Sequence, residues 1–280
     1  MKKNAQASAY HAKTPPVKAP LTVTHKCRIN AITPLNADAF QVELQAPDDT
    51  VLEYLAGQYL QLELDVKDEE ASRPLLFSIA NGFDSEHTGR LQLFIYNNSA
   101  LSHKTLQHLT QRMEENQSIS VMLPMGKAYL QTDLSLPHVF IAAGSGISQV
   151  KCLVEETLRQ RPGACVKLYW SNREVEEFYL QDTIQAWQAT SKRFSFTPVL
   201  ESAHSGWSGA SGYLYEVIQK DFEDLSGVQV YLCGSPQMVY GTIDKLKNRG
   251  LTIENCYSDV FEYAPRNTGI DGMEGANGVK

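Results

Sequence analysis

The chain has 280 residues, enough for two medium domains with real cores, and its 42% hydrophobic and 20% charged content is that of a globular protein. A net charge of −7 speaks against nucleic acid or an anionic membrane surface as the main partner, and no apolar run approaches the roughly 20 residues that span a bilayer. The five cysteines, Cys27, Cys152, Cys165, Cys233 and Cys256, lack the close pairing that holds zinc or an iron–sulfur cluster, so no metal is expected and the thiols suit a reducing cytoplasm.

Residues 1–22 begin with two lysines but lack a following apolar stretch, and their polar, proline-rich composition predicts a disordered arm rather than a secretory signal. Residues 23–134 then carry short β-type runs separated by turn residues: His25–Leu35, Ala39–Ala46, Gln58–Val66, Leu75–Asn81, Arg90–Tyr96 and Ser118–Leu123. This spacing predicts an antiparallel barrel or sandwich, capped by one helix over Leu101–Met113. Polarity rises at Gln131–Pro137, where a boundary is expected.

Residues 135–264 have a different texture. The apolar runs His138–Ala143, Val166–Trp170, Phe194–Leu200 and Val228–Gly234 alternate with amphipathic stretches at Ile147–Arg161, Val175–Gln188, Ser211–Phe222 and Pro236–Gly250. Strand–helix alternation of this length predicts a parallel sheet wrapped by helices. Residues 265–280 are Gly-rich and polar and read as a flexible tail. The fold class is therefore α+β with two domains, an antiparallel β-barrel followed by an α/β parallel-sheet domain.

Three turns in the second half carry candidate chemistry. Gly144-Ser145-Gly146-Ile147-Ser148 follows the strand His138–Ala143, where a glycine turn lets backbone approach a phosphate and the next helix aims its free N–H groups at the anion. It lacks the third glycine of a full dinucleotide fingerprint, and a tight packing turn is the plainer alternative. Cys233-Gly234-Ser235-Pro236-Gln237-Met238 also joins a strand end to a helix, with a buried structural cysteine and helix-start punctuation as its plain reading. Arg173, in Ser171-Asn172-Arg173, suits an adenosine ribose or 2′-phosphate or else is solvated; Glu174, Glu176 and Glu177 crowd it and oppose a second phosphate.

In the first half, Arg73-Pro74-Leu75-Leu76-Phe77-Ser78-Ile79-Ala80 suits a flat aromatic ligand lying along a strand, or is an ordinary barrel strand. Ala56-Gly57-Gln58-Tyr59 is a turn into a strand. Near the end, Tyr257-Ser258-Asp259-Val260-Phe261-Glu262-Tyr263 packs as a last strand or covers a bound ring with its aromatics.

In order and spacing, these segments together with Pro124-Met125-Gly126 and Gly206–Gly212 resemble the ferredoxin–NADP reductase superfamily, most closely its stand-alone NAD(P)H:flavin reductase branch, over about Val23 to Tyr263. The resemblance implies a flavin-binding barrel at 23–134, a nicotinamide-nucleotide domain at 135–264 and a flavin ring at their interface. It places Phe77, Ser78 and Ile79 at the isoalloxazine, with Ser78 near its N5 edge, and gives Arg73 a flavin phosphate contact. It assigns Gly144, Ser145, Gly146 and Ile147 to the pyrophosphate, Arg173 to the ribose end, Cys233, Gly234 and Met238 to the nicotinamide, and Phe261 to the ring cover. Arg73 lies five residues before Ser78 where the family pattern has three, and no ferredoxin-like cysteine cluster is present.

The implied activity is hydride transfer from NADH or NADPH to FMN, riboflavin or FAD, with Ser78 and Cys233 as the catalytic pair. The cysteine is expected to act by size and position, since no basic neighbour marks it as a thiolate. Two alternatives stand beside it: an FAD-containing reductase component that feeds an oxygenase or iron–sulfur protein, and a non-catalytic nucleotide-sensing subunit.

Overall fold

Alternating apolar residues pleat the first half into a nearly closed antiparallel sheet. The computed structural model describes residues 18–64, 74–203 and 205–266; most of the expected arm, Arg73 and most of the expected tail lie outside the described residues. The strands β1 (Val23–Pro34), β2 (Ala39–Gln45), β3 (Tyr59–Glu63), β4 (Leu75–Ser78), β5 (Arg90–Tyr96) and β6 (Ile119–Met125) are ordered β4-β3-β6-β1-β2-β5. Every second residue turns inward, as the pleat requires, so Val42 and Leu44, Leu60 and Leu62, Leu91 and Leu93, and Ile119, Val121 and Leu123 fill one core. Helix α1 (Ala100–Glu114) closes the barrel with Leu106 and Leu109. Its N-terminus is satisfied internally, by a capping box between Ser99 and Ser102.

The second half forms β7 (His138–Ala143), β8 (Val166–Asn172), β9 (Phe194–Leu200), β10 (Ala210–Ser211), β11 (Gln229–Cys233) and β12 (Cys256–Tyr257), all parallel and ordered β10-β9-β8-β7-β11-β12. Helices α2 (Ile147–Gln160) and α3 (Gln181–Thr190) cover one face, while α4 (Leu214–Asp221) and α5 (Pro236–Leu246) cover the other. Strand β7 shows why its sequence is apolar throughout: Phe140 and Ala142 enter one core, Val139 and Ile141 the other.

Two elements differ from the sequence expectation. The amphipathic stretch at Val175–Gln188 is broken into a 3₁₀ turn at Val175–Glu177 and α3, because Phe178 and Leu180 drop into the core between them. Of the terminal aromatic segment only Tyr257 extends the sheet, together with the preceding Cys256; Val260–Tyr263 winds into a single helical turn, α6.

Helix α2 also docks the barrel. Ala56, Ala80 and Phe94 of the first half join the same core as Val150, Leu153 and Val154. Around that apolar contact, Lys151 donates to the Ala80 carbonyl at 3.0 Å and the Cys152 thiol to the Asn81 carbonyl at 2.9 Å. The Gly82 N–H donates to Glu155 at 2.9 Å. On the other side, the hydroxyls of Tyr96 in β5 and Tyr179 meet. These contacts fix the barrel against the mouth of the parallel sheet.

Candidate functional site

The order of the parallel sheet reverses between β7 and β11: β8 lies on one side of β7 and β11 on the other. Chains leaving two such strands diverge to opposite faces, and the crevice between their carboxyl ends is where open α/β sheets hold ligands. Ala142 of β7 is in register with Cys233 of β11, so the glycine turn after β7 and Cys233-Gly234 sit side by side at that crevice.

A cleft of about 610 Å³ opens there. The parallel-sheet half lines it with Gly144, Ser145, Gly146, Gln149, Arg173, Cys233 and Gly234, and the barrel half with Ser78, Tyr96 and Asn98. The chain near its end adds Asp259 and Tyr263.

The glycine turn is a 3₁₀ turn, Gly144–Gly146, running straight into α2, and no side chain caps either N-terminus. Its backbone donors are therefore left to face the cleft, unlike those of α1. Gly144 has φ +51°, and a side chain there would meet nothing within 4 Å. Gly146 is the reverse case. A Cβ would stand 2.1 Å from the Cys233 carbonyl oxygen, so glycine lets α2 approach β11. Open room beside uncapped N–H groups fits a pyrophosphate.

Ser78 ends β4 and lines the cleft; strand alternation then sends its neighbours elsewhere. Ile79 is fully buried in the barrel core and Phe77 packs against it. Among the described residues, the Ser78 hydroxyl has no hydrogen-bond partner in the chain, which leaves it available to a ligand's polar edge.

Cys233 is 6% exposed, and its thiol donates to Gln149 Oε1 at 2.9 Å. Burial, with Asp259 nearby, pushes the thiol pKa well up, so the group is a neutral thiol rather than a nucleophile. Asp259 accepts from Gln149 Nε2 at 2.8 Å and from the Ala128 N–H at 3.4 Å. Burial raises its pKa to about 6, against those hydrogen bonds. The site thus pairs a neutral thiol with a carboxyl that changes charge near pH 6.

The remaining expected residues are spread more widely. Arg173 lines the cleft, and Glu201 at the end of β9 meets its Nε at 3.4 Å. Glu177 is turned inward to the N–H groups of Arg173 and Glu174 at 2.8 and 3.0 Å. Ile147 is fully buried beneath the turn. Met238 packs on the α5 side, its Cε near the position a Gly234 Cβ would take. Phe261 packs on Tyr240 at 5.9 Å between ring centres, and the aromatic of this terminal segment that lines the cleft is Tyr263, two positions on. Arg73 lies outside the described residues.

Sequence reasoning did not single out Gln149, Tyr96 or Glu201, and it reached Asp259 and Tyr263 only as members of the Tyr257–Tyr263 segment. Asp259 lies inside the Tyr257–Tyr263 motif, and its acidic character between aromatics is the signal that marks it. Nothing near Gln149 or Glu201 in sequence marks either one, because their partners lie up to 110 residues away.

Residues 140–243 match the sequence signature of an oxidoreductase NAD-binding domain. The chain is 28% identical over 243 residues to the CDP-6-deoxy-L-threo-D-glycero-4-hexulose-3-dehydrase reductase of Yersinia pestis, covering 85% of this chain and 69% of that one. It is 27% identical over 244 residues to an NAD(P)H-flavin reductase of Vibrio harveyi, covering 86% of this chain and all of that one. A solved Amycolatopsis cytochrome P450 reductase shares the fold, with a TM-score of 0.75 and 21% identity over 87% of this chain and 71% of that one.

Proposed function

We propose that the chain is a member of the ferredoxin–NADP reductase superfamily, and from that premise that it is an NAD(P)H-dependent flavin reductase with its reacting centre in the cleft between barrel and parallel sheet. The observation that carries this reading is that Ser78 of the barrel and Cys233 and Gly144–Gly146 of the parallel sheet line one crevice at the sheet's switch point.

Reduced nicotinamide and flavin supply the hydride chemistry when bound, and the chain's task is to orient them and keep water out. Residues 23–134 form the flavin domain and residues 135–264 the nicotinamide-nucleotide domain. The backbone of Gly144, Ser145 and Gly146 holds the pyrophosphate, with Ile147 fixing the turn from beneath. Ser78 donates a hydrogen bond to the polar edge of the flavin ring. Cys233 and Gly234 shape the nicotinamide floor by their small size, and Met238 supports Gly234 from behind. Tyr263 covers the cleft from the side assigned to Phe261. Asp259 holds a proton at its carboxyl below about pH 6 and a negative charge above it.

All five cysteines are free, and among the described residues no helix is long and apolar enough to cross a membrane.

The test is NADH and NADPH oxidation, followed at 340 nm, by purified protein alone and with FMN, riboflavin or FAD. Turnover that requires free flavin is the expected result. Ser78→Ala lowers kcat by about tenfold, the worth of one hydrogen bond to a charge-developing group, with KM for NADH little changed. Equal kcat in the two proteins removes Ser78 from its role. A relative named as a dehydrase reductase favours a second reading, in which electrons pass to a protein partner. Tightly held flavin with slow free-flavin turnover is the result that selects it.

A further inference from the structure

We propose that Gln149 is a positioning residue for hydride transfer, one amide that sets the Cys233 thiol, the Asp259 carboxylate and the barrel in fixed relation around the cleft. The inference rests on the flavin-reductase reading.

Gln149 is the third residue of α2 and is 5% exposed. Its Nε2 donates to the Gly57 carbonyl at 2.5 Å and to Asp259 Oδ2 at 2.8 Å, while its Oε1 accepts from the Cys233 thiol at 2.9 Å. Two donors and one acceptor are thus each matched to a partner of the opposite kind. The orientation of the amide is fixed by the same match, because flipping it would set Oε1 against a carbonyl and a carboxylate. The partners come from the barrel turn before β3, the carboxyl end of β11 and the residue before α6. Gln149 itself lines the cleft, so its three bonds converge where the two halves meet.

Only an amide of this length serves all three. An alkyl side chain strands a buried thiol, a carboxylate and a carbonyl; a carboxylate repels two of the three. The charge on Asp259 is therefore governed in part by Gln149. The other groups facing Asp259 are Glu262, which raises its pKa, the Ala128 and Lys127 backbone N–H groups, which lower it, and the nearby Tyr59, Tyr263 and Cys233. The Lys127 ammonium is held by Glu262 at 2.8 Å.

The experiment follows the carboxyl ¹³C resonance of Asp259 in protein labelled at aspartate Cγ, free of nucleotide and flavin, with Asp259→Asn as the assignment control. In wild type it titrates near pH 6. Gln149→Met, which keeps length and volume, raises the midpoint by about one unit, since the carboxylate loses a donor. Gln149→Glu raises it further, because two adjoining carboxyls share a proton, and it keeps the test decidable should the methionine variant fail to fold. Both variants lower kcat with free flavin by about tenfold and leave KM for NADH within about threefold. An unmoved titration in a folded variant, or a loss confined to KM, overturns the inference. A wild-type protein that reduces no flavin, with the titration still shifting, sinks the flavin-reductase reading instead and with it the hydride role given to Gln149.

Discussion

Two glycines two residues apart do different work, and their substitutions separate it. Gly146 lacks room: an added methyl meets the Cys233 carbonyl at 2.1 Å, so Gly146→Ala forces α2 off β11 and destabilises by about 1–3 kcal/mol. Gly144 has room but a left-handed backbone, so Gly144→Ala strains the turn by about 1 kcal/mol and obstructs the space assigned to the pyrophosphate. Thermal melts distinguish the first, and a raised KM for NADH with a small change in Tm distinguishes the second. Asp259 is expected to make stability depend on pH. Its folded pKa, about 6, stands above the ordinary 3.8, so the fold favours the protonated form. That stabilisation is complete below about pH 4 and is lost as pH rises through 6. Asp259→Asn imitates the protonated carboxyl; its Tm advantage over wild type grows between pH 4 and 6.5 and then levels, corresponding to about 2 kcal/mol given partial exposure to the cleft. A constant difference across that range removes the assigned shift.

At the scale of elements, α2 holds the molecule together. Its residues at spacings of three and four, Gln149, Cys152, Glu155 and Glu156, all bond to the barrel half or its following loop. The amphipathic pattern of Ile147–Arg161 foretold the helix but not its second partner. Lys151, with a side chain 9% exposed, is paired with Glu155 at 2.7 Å and also reaches the Ala80 carbonyl and Gln92. Removing one partner leaves a buried charge, so Glu155→Leu costs about 3 kcal/mol, while Lys151→Met with Glu155→Leu together cost less than the single change. Urea denaturation of both single variants and the double variant measures the coupling, and a double-variant loss equal to the sum of the two single losses would show that the pair is not coupled. Helix α1 shows the opposite case: its capping box was written in the adjacent Ser99 and Ser102, and the structure adds only the barrel end it closes.

For the whole molecule, the charges lining the cleft bear on the proposed choice of nucleotide. Among the described residues lining the cleft, Arg173 is the single cation, and Glu177, Glu201 and Asp259 are the acids. Glu201 engages Arg173 at the end of the crevice assigned to the ribose. A bare 2′-hydroxyl can bond to a carboxylate there, whereas a 2′-phosphate meets like charge. The expected kcat/KM for NADH exceeds that for NADPH by about tenfold, and Glu201→Lys narrows the gap by about fivefold. A preference that does not move with Glu201→Lys places the ribose elsewhere. The expectation from sequence that acids beside Arg173 oppose a second phosphate pointed the same way, but it looked to Glu174, Glu176 and Glu177. Glu177 is spent on backbone N–H groups, and Glu201 arrives from the next strand.

By itself the sequence determined the two-part architecture, because pleat and helix periods are local signals that burial on one or two faces stamps on every few residues. It also determined the glycine turn and the Cys233 turn, since both are short contiguous motifs at strand ends. Tertiary structure decided what those turns share. Strand order placed Cys233 beside the Gly144 turn, and alternation gave Ser78 to the cleft while Ile79 and Phe77 went to the core. A helical turn in place of a last strand presented Tyr263 rather than Phe261. The Gln149 junction was beyond sequence reading altogether. Its three bonds span 84 to 110 residues, and such a match of donors to acceptors exists only once the chain has closed around it.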